Sequence, residues 1–490
     1  MRHLALIGAL SACLLGGTPL AAMADEQTEK ALEERIKRLE KLVEELTKRE
    51  AMEAKTEAKE ECKGKTGKEK EDCEKREKKE EKTATQPPAQ PLDLNAPGGG
   101  KLTYARPFVS SPKAIVGGYM DLSYKNFNSS NSTGPEQPLV GTGGSTFDQQ
   151  RFVPFFYSDV TDHIKVASEV EIEHGIRSVS TSGSGIEVSV EFATIDYQFS
   201  DPFNLRTGII LLPVGKFNLI HDSPLNELAD RPLVSTAIIP STLSEVGAGF
   251  YGTVYPGRTD KVDYELYVTN GFNGYDSNGN PLITAEEGLQ AAKERVNTAP
   301  DDGVSSHSGK SVVGRVAYSP FLGVEVGGSQ YFGVYDPSSK RPLSITAADW
   351  TLQRGPFRVI GEAAWVYARD NDLNLNGTYA FDPVTGQLLP RRMDGFYVEG
   401  DYHFMPDALK RWAPSHFTNA STFTAVLRWD QVNTNAELDS TREERLTVGL
   451  NFRPISDVVY RIDYQWNFAD GVLNRAIYPS GLTLSVATYF

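Results

Sequence analysis

The segment 216–244 concentrates side chains that could act on a charged solute. Lys216, His221, Asp222 and Arg231 lie within it and offer both signs of charge together with an imidazole. Groups of this kind can line a narrow passage and attract or repel ions that cross it. Arg231 and Asp222 can equally form a structural ion pair, because paired arginine and carboxylate groups often fix geometry. The sequence leaves both interpretations open.

Signals for catalysis are weak along the chain. A hydrolase needs a nucleophile, a positioned base and an orienting group, but the seven histidines are scattered and no Gly-x-Ser-x-Gly elbow occurs. His403 with Asp401, near Arg428 and Asp430, is explained more simply by charged residues facing water. His-Glu-x-x-His and Cys-x-x-Cys-His are absent, and the glycine run 98–100 lies in a linker. We predict no enzyme, catalytic residue, metal or cofactor.

Composition narrows the class of protein. The 490-residue chain has a formal net charge of −15 and a pI of about 5.1, which argues against a nucleic-acid partner. Its mean hydropathy is −0.37, and no internal stretch approaches the ~20 apolar residues of a membrane-spanning helix. A β-barrel remains compatible with these values, because it hides its apolar face in alternation.

The start of the chain predicts export. Residues 1–24 form a secretory signal peptide, with an apolar run at 4–15 and a small-x-small cleavage site at 22–24. Cys13 ends a Leu-Ser-Ala-Cys sequence that resembles a bacterial lipobox, so lipidation at Cys13 is the alternative.

Residues 25–82 are dominated by Glu, Lys, Arg and Ala and predict a charged helix. Apolar side chains recur at alternating steps of four and three, at Leu32, Ile36, Leu39, Val43 and Leu46. This spacing is a heptad seam and favours a short coiled coil. Two heptads are marginal alone, and a solvated single helix is the alternative. Residues 83–110, rich in Pro, Ala, Gln and Gly, predict an extended linker.

Two cysteines of the charged segment, Cys62 and Cys73, could form a disulfide. Exported proteins meet an oxidising compartment, and the glycines within 64–68 could turn one short helix back on another. The bond could lie within one chain or join two. A metal site would need more than two thiols.

Residues 111–490 consist of short runs in which apolar and polar residues alternate. One run places Val458, Tyr460, Ile462, Tyr464, Trp466 and Phe468 on one face, opposite Arg461, Asp463, Gln465 and Asn467. A period of two puts each set on one side of a strand. Charges of both signs at mid-strand are typical of a water-filled lumen, with Glu169, Glu171, Glu173, Glu191 and Asp263 among them.

Sixteen strands follow from this pattern. Their predicted starts are near 115, 148, 164, 186, 204, 245, 261, 310, 322, 343, 357, 394, 421, 444, 457 and 481. Short connections alternate with long ones, as periplasmic turns and extracellular loops do, except for the long connection 406–420. We therefore predict an all-β fold, a 16-stranded antiparallel transmembrane β-barrel preceded by a periplasmic helix. The apolar last strand should close against the first, because an exposed apolar edge invites aggregation.

Residues 186–252 resemble the phosphate-selective porin O and P family. The matching stretches are VEFATIDY at 190–197, SDPFNLR at 200–206, LPVGKFN at 212–218, His221 with Asp222, RPLV at 231–234, IIPST at 238–242 and EVGAGFYG at 245–252. The terminal Phe490 is similar to the insertion signal of outer-membrane barrels, and the charged helix to that of dicarboxylate-type porins. The resemblance implies a trimeric outer-membrane channel, surrounded by lipid, for passive diffusion of small solutes.

In such porins one loop folds inward, which would place Lys216, His221, Asp222 and Arg231 at a constriction. Arg358, Arg428 and Arg461 could add part of a basic track. Carboxylates accompany these arginines and the barrel region is net acidic, so phosphate selectivity is not supported. The alternatives are a non-conducting structural barrel and, more remotely, an outer-membrane hydrolase.

Overall fold

A computed structural model describes residues 114–127, 144–174, 187–276, 279–293, 309–382, 386–438, 441–469 and 480–490. The predicted signal peptide 1–24, charged helix 25–82 and linker 83–110 lie outside these residues. The same holds for Cys13, Cys62 and Cys73.

The described residues contain sixteen strands, which confirms the predicted number. They are β1 (Ala114–Phe127), β2 (Gly144–Asp159), β3 (Ile164–Glu173), β4 (Glu187–Ser200), β5 (Phe203–Leu211), β6 (Ser244–Val254), β7 (Lys261–Asn270), β8 (Lys310–Phe321), β9 (Val324–Val334), β10 (Pro342–Arg354), β11 (Phe357–Ala368), β12 (Arg392–Phe404), β13 (Thr422–Asn433), β14 (Arg442–Ile455), β15 (Val458–Ala469) and β16 (Gly481–Tyr489). Each strand pairs antiparallel with its sequence neighbours, and β1 pairs with β16 to close the barrel. Every strand begins within four residues of its predicted start, the largest difference being 144 against 148.

The two surfaces of the wall differ as the alternation predicted. On β13, Leu427 is 54% exposed on the outside while Arg428, one residue on, is 2% exposed. On β15, Tyr460 and Ile462 are exposed, whereas Arg461 between them is buried. Since successive side chains of a strand point to opposite faces, the outside is apolar and the inside is polar and charged. None of the helices in the described ranges is long and apolar enough to cross a membrane.

Closure of the barrel involves the last residue of the chain. Phe490 donates its backbone N–H to the carbonyl of Gly118 at 2.9 Å and accepts from the N–H of Gly118 at 3.2 Å. Its ring stacks on Phe152 of β2 with a centroid distance of 5.7 Å. The predicted pairing of the apolar last strand with the first is confirmed, and no apolar edge of the sheet is left open at this seam.

Short turns lie at one end of the barrel, where β1 begins and β16 ends. The connection between β12 and β13 is long although it belongs to this end, as predicted, and it contains helix α1 (Asp407–Trp412). Trp412 of this helix is exposed, while Phe417 packs on Phe423 and Phe452.

Candidate functional site

The connection between β5 and β6, residues 212–243, folds into the barrel and is called the inward loop here. It contains two short 3-10 helices (Phe217–Leu219 and Ser223–Leu225) and a π-helical turn (Val234–Ile238). The π-helical turn packs against β11, β12 and β13, and the second 3-10 helix packs against β1 and β16. The loop therefore leaves the wall at β5 and β6 and contacts strands that lie across the lumen.

Near the start of the loop, residue 215 occupies a position that favours glycine. Gly215 has a φ of +71°, and a Cβ built there would lie 2.4 Å from a carboxylate oxygen of Glu362 on β11. The same carboxylate accepts the backbone N–H of Phe217 at 2.9 Å. Lys216, between them, places its ammonium 2.9 Å from Glu325 and donates to Thr351 at 2.9 Å. The start of the loop is thus held against β9, β10 and β11.

Near the middle of the loop, His221 and Asp222 turn to the opposite wall. The Nε2 atom of His221 lies 3.2 Å from Oε2 of Glu191 on β4. Asp222 accepts a hydrogen bond from the hydroxyl of Tyr489 on β16 at 2.8 Å. Burial raises the pKa of Asp222, and the opposing effect of nearby His221 does not cancel this rise.

Farther along the loop, carboxylates meet guanidinium and ammonium groups of the wall. Glu227 lies 3.3 Å from both Arg358 and Arg453. Burial opposes ionisation of Glu227, but the two arginines outweigh it and lower its pKa. Asp230 pairs with Lys125 of β1 at 2.8 Å, and its pKa is held at about 2 because Lys125 and Arg445 outweigh the effect of burial.

The arginines proposed from sequence as a basic track are bound to the loop and to carboxylates. Arg428 donates to Asp430 at 2.9 Å and to the backbone carbonyl of Asp230 at 3.0 Å. Arg461 donates to the carbonyl of Ser223. Arg358 combines its contact with Glu227 with a 2.7 Å pair to Asp401. These side chains hold the loop in place, whatever effect their charge has on solutes.

Arg231 is placed near a different strand from Asp222. Its Nη2 atom lies 3.9 Å from Glu171 of β3, and its guanidinium side chain is 9% exposed. Asp222 is bound by Tyr489, as described above. The charged neighbour that the structure gives Arg231 is therefore Glu171. The ion pair of Arg231 with Asp222 stays a prediction.

Several residues that hold the loop were not identified from the sequence. Asp463 accepts the backbone N–H of Ala229 at 2.7 Å, and Asp430 accepts that of Leu233 at 2.9 Å. The only sequence signal was their inward position in alternating strands. That position shows that they face the lumen but does not show which of the loop's N–H groups they accept.

The constellation weighed as catalytic has other partners. His403 places Nδ1 2.9 Å from the hydroxyl of Thr424. Asp401 binds Arg358 and Asp430 binds Arg428, as described above. These contacts are those of a charged inner wall rather than of a nucleophile, a base and an orienting group.

Among the described residues, the cavities beside the inward loop include two that differ in their lining. One, of about 170 Å³, is bordered by Lys216, Glu227, Arg358 and Glu399 and carries both signs of charge. The other, of about 300 Å³, lies against β3 and β4 and is bordered by residues that include Ala167 and Leu219. Most of the sequence-predicted site thus surrounds the first cavity or holds the loop beside it.

A closed antiparallel barrel with an apolar outside and a charged inside defines a transmembrane β-barrel. No family model matches the chain. A protein of Aquifex aeolicus described as uncharacterized is 28% identical over 382 residues, which cover 75% of this chain and 79% of that protein.

Solved structures that are similar over 77% of this chain include the following two. The outer membrane channel DcaP of Acinetobacter baumannii is 11% identical, with 97% of its chain covered and a TM-score of 0.47. OmpF of Salmonella typhi, in complex with daunomycin, is 9% identical, with 98% of its chain covered and a TM-score of 0.48. Likeness at this level assigns no function, so the function is argued from the site.

Proposed function

We propose that this protein is an outer-membrane porin, a water-filled channel for passive diffusion of small hydrophilic solutes or ions. The observation that carries the proposal is a closed barrel with a charged inner wall, narrowed by a loop that leaves a cavity with mixed charge. The apolar outer surface fits membrane lipid. The charges that border the cavity, Lys216, Glu227 and Arg358, would act on solutes at the constriction.

A non-conducting structural barrel is the second candidate, and the inward loop itself favours it. The loop is anchored on β1, β4, β11, β13, β14, β15 and β16 by the contacts described above. If these contacts persist in the membrane without further openings, the loop acts as a plug. Planar-bilayer recording separates the two: discrete conductance steps support the porin, and a folded but silent barrel supports the plug.

A pair of glycine variants sharpens this recording. Gly215→Ala places a methyl group on the Glu362 carboxylate and should displace the start of the loop, which raises conductance. Gly355→Ala is the matched control, because Gly355 also has positive φ, at +59°, but its Cβ would meet nothing within 4 Å. A conductance increase in both variants, or in neither, would contradict the loop as constriction.

Trimer formation and the solute are further parts of the proposal. A homotrimer is what the porin resemblance implies, and crosslinking of the purified protein in detergent would reveal three bands up to the trimer. The phosphate-selective family stays a prediction. A reversal potential measured in a KCl gradient tests the sign of selectivity directly.

A further inference from the structure

Three side chains able to bind a metal meet where the inward loop touches β3 and β4. Glu169 of β3, Glu191 of β4 and His221 of the loop each offer one donor atom, and these atoms lie within 4.8 Å of one another. All three residues are buried, with at most 3% of each exposed. Two strands and a loop therefore bring two carboxylates and an imidazole to one point.

The orientation of the imidazole favours a cation at this point. Nδ1 of His221 lies 2.9 Å from the carbonyl oxygen of Asn218, which can only accept, so Nδ1 carries a hydrogen. In the neutral ring, Nε2 then presents its lone pair to Glu191 at 3.2 Å. Two acceptors at this distance need a cation or an additional proton between them.

Each carboxylate of the cluster has one oxygen without a hydrogen-bond partner in the described part of the chain. Oε1 of Glu169 and Oε1 of Glu191 are buried and have no hydrogen-bond partner among the described residues. Two guanidinium groups lie nearby and meet other carboxylates. Arg151 of β2 lies 3.3 Å from Asp121, 3.0 Å from Glu171 and 3.2 Å from Glu173, and Arg231 of the loop lies 3.9 Å from Glu171. Unpaired buried acceptors of this kind call for a bound partner.

We propose that Glu169, Glu191 and His221 bind a divalent transition-metal cation of the Zn²⁺ class, which links the inward loop to the wall of the barrel. Imidazole nitrogen and carboxylate oxygen are ordinary ligands of such ions, and three of them leave a position for water. The hydrogen bond from Nδ1 to a backbone carbonyl is the usual support of a metal-binding histidine.

The test is Zn²⁺ titration of the full-length protein, purified without a histidine tag, in detergent by calorimetry. The wild type should bind one Zn²⁺ per chain that His221→Gln and Glu169→Gln weaken by about 100-fold, since loss of supporting groups alone costs ~10–100-fold. Co²⁺ should give visible absorption bands that the same variants lose. Cys62 and Cys73 are present in every variant, so their contribution cancels.

His163→Ala is the matched control. His163 also places Nδ1 near a backbone carbonyl, that of Gln198 at 3.0 Å, but it is exposed on a short turn. Heat-modifiable migration on gels verifies that each variant is folded. Equal Zn²⁺ binding in the wild type and both cluster variants would overturn the proposal, and so would the absence of binding in the folded wild type. In either case the negative charge of the carboxylates would be neutralised by protons instead. Binding in detergent does not depend on whether the barrel conducts.

Discussion

Two neighbouring parts of the inward loop meet opposite charges in the wall of the barrel. At residues 227–230 the loop brings carboxylates to Arg358, Arg453 and Lys125, so each charge finds its complement within the chain. At His221 the loop meets Glu169 and Glu191, each of which has one buried carboxylate oxygen without a hydrogen-bond partner among the described residues. The first contact is complete in itself, whereas the second needs a proton or a cation. Residues 227–230, called the paired part here, are therefore held by ion pairs within the chain, whereas His221 needs a bound proton or cation.

The largest expected effect is that of removing the guanidinium of Arg428, which holds the paired part of the loop. Arg428→Ala removes the partner of buried Asp430 and the donor to the loop carbonyl of Asp230. Breaking a buried pair leaves an uncompensated charge and costs about 3–5 kcal/mol. Urea unfolding of the protein in lipid vesicles measures this. A loss of unfolding free energy below about 1 kcal/mol would show that the paired part of the loop contributes little to stability.

Asp230→Asn should weaken the paired part of the loop in a pH-dependent way. The folded pKa of Asp230, about 2, lies below the usual value near 3.9, so its stabilisation is complete above about pH 4 and is lost as the pH falls towards 2. At pH 7 the variant should lose about 2 kcal/mol of unfolding free energy. The difference from wild type should become small near pH 2 and vanish below it.

Asp222→Asn, next to His221, is the matched control. Burial raises the pKa of Asp222, so folding favours its neutral form and wild-type stability increases as the pH falls through that raised pKa. At pH 7 an uncharged amide that still meets Tyr489 should not destabilise the protein. Similar losses for Asp222→Asn and Asp230→Asn would contradict the comparison.

Ion selectivity should reflect the excess of acidic over basic side chains inside the barrel. Buried acidic residues outnumber buried basic ones among the described residues, so the reversal potential in a KCl gradient should show preference for K⁺. Glu173→Gln, beside Arg151, should move the permeability ratio modestly towards one. An unchanged ratio would place the selective charges elsewhere.

The smallest effect is expected outside the lumen. Arg392 pairs with Glu437 at 2.8 Å, but its side chain is 60% exposed. Arg392→Ala should change the unfolding free energy by less than about 0.5 kcal/mol, because exposed ion pairs are screened by water. The same urea experiment measures it. A loss of unfolding free energy as large as that of Arg428→Ala would show that burial does not decide how much an ion pair contributes.

The barrel could be predicted closely because its signal is local. The alternation of β15, with Tyr460 and Ile462 outside and Arg461 inside, can be read within a few residues of sequence. The strand starts and the closing strand follow from such runs. The inward loop has no comparable period, and the family resemblance alone suggested that it folds inward.

The partners of that loop could not be predicted for a related reason. Asp463 binds Ala229 across 234 positions of sequence, and Arg428 binds Asp230 across 198. The sequence identified Lys216, His221, Arg358 and the other charged residues as candidates, and their effect on solutes stays a prediction.

By itself the sequence determined where strands begin, which side chains face lipid and which face the lumen, because alternation is a property of each strand alone. Only the tertiary structure decided which lumen charges meet. Closure of the barrel brings distant strands around one loop, and this places Glu169 and Glu191 at His221 but Arg358 and Arg453 at Glu227. No local pattern encodes such pairings, since they depend on the register of the whole barrel and on the path of the loop across it.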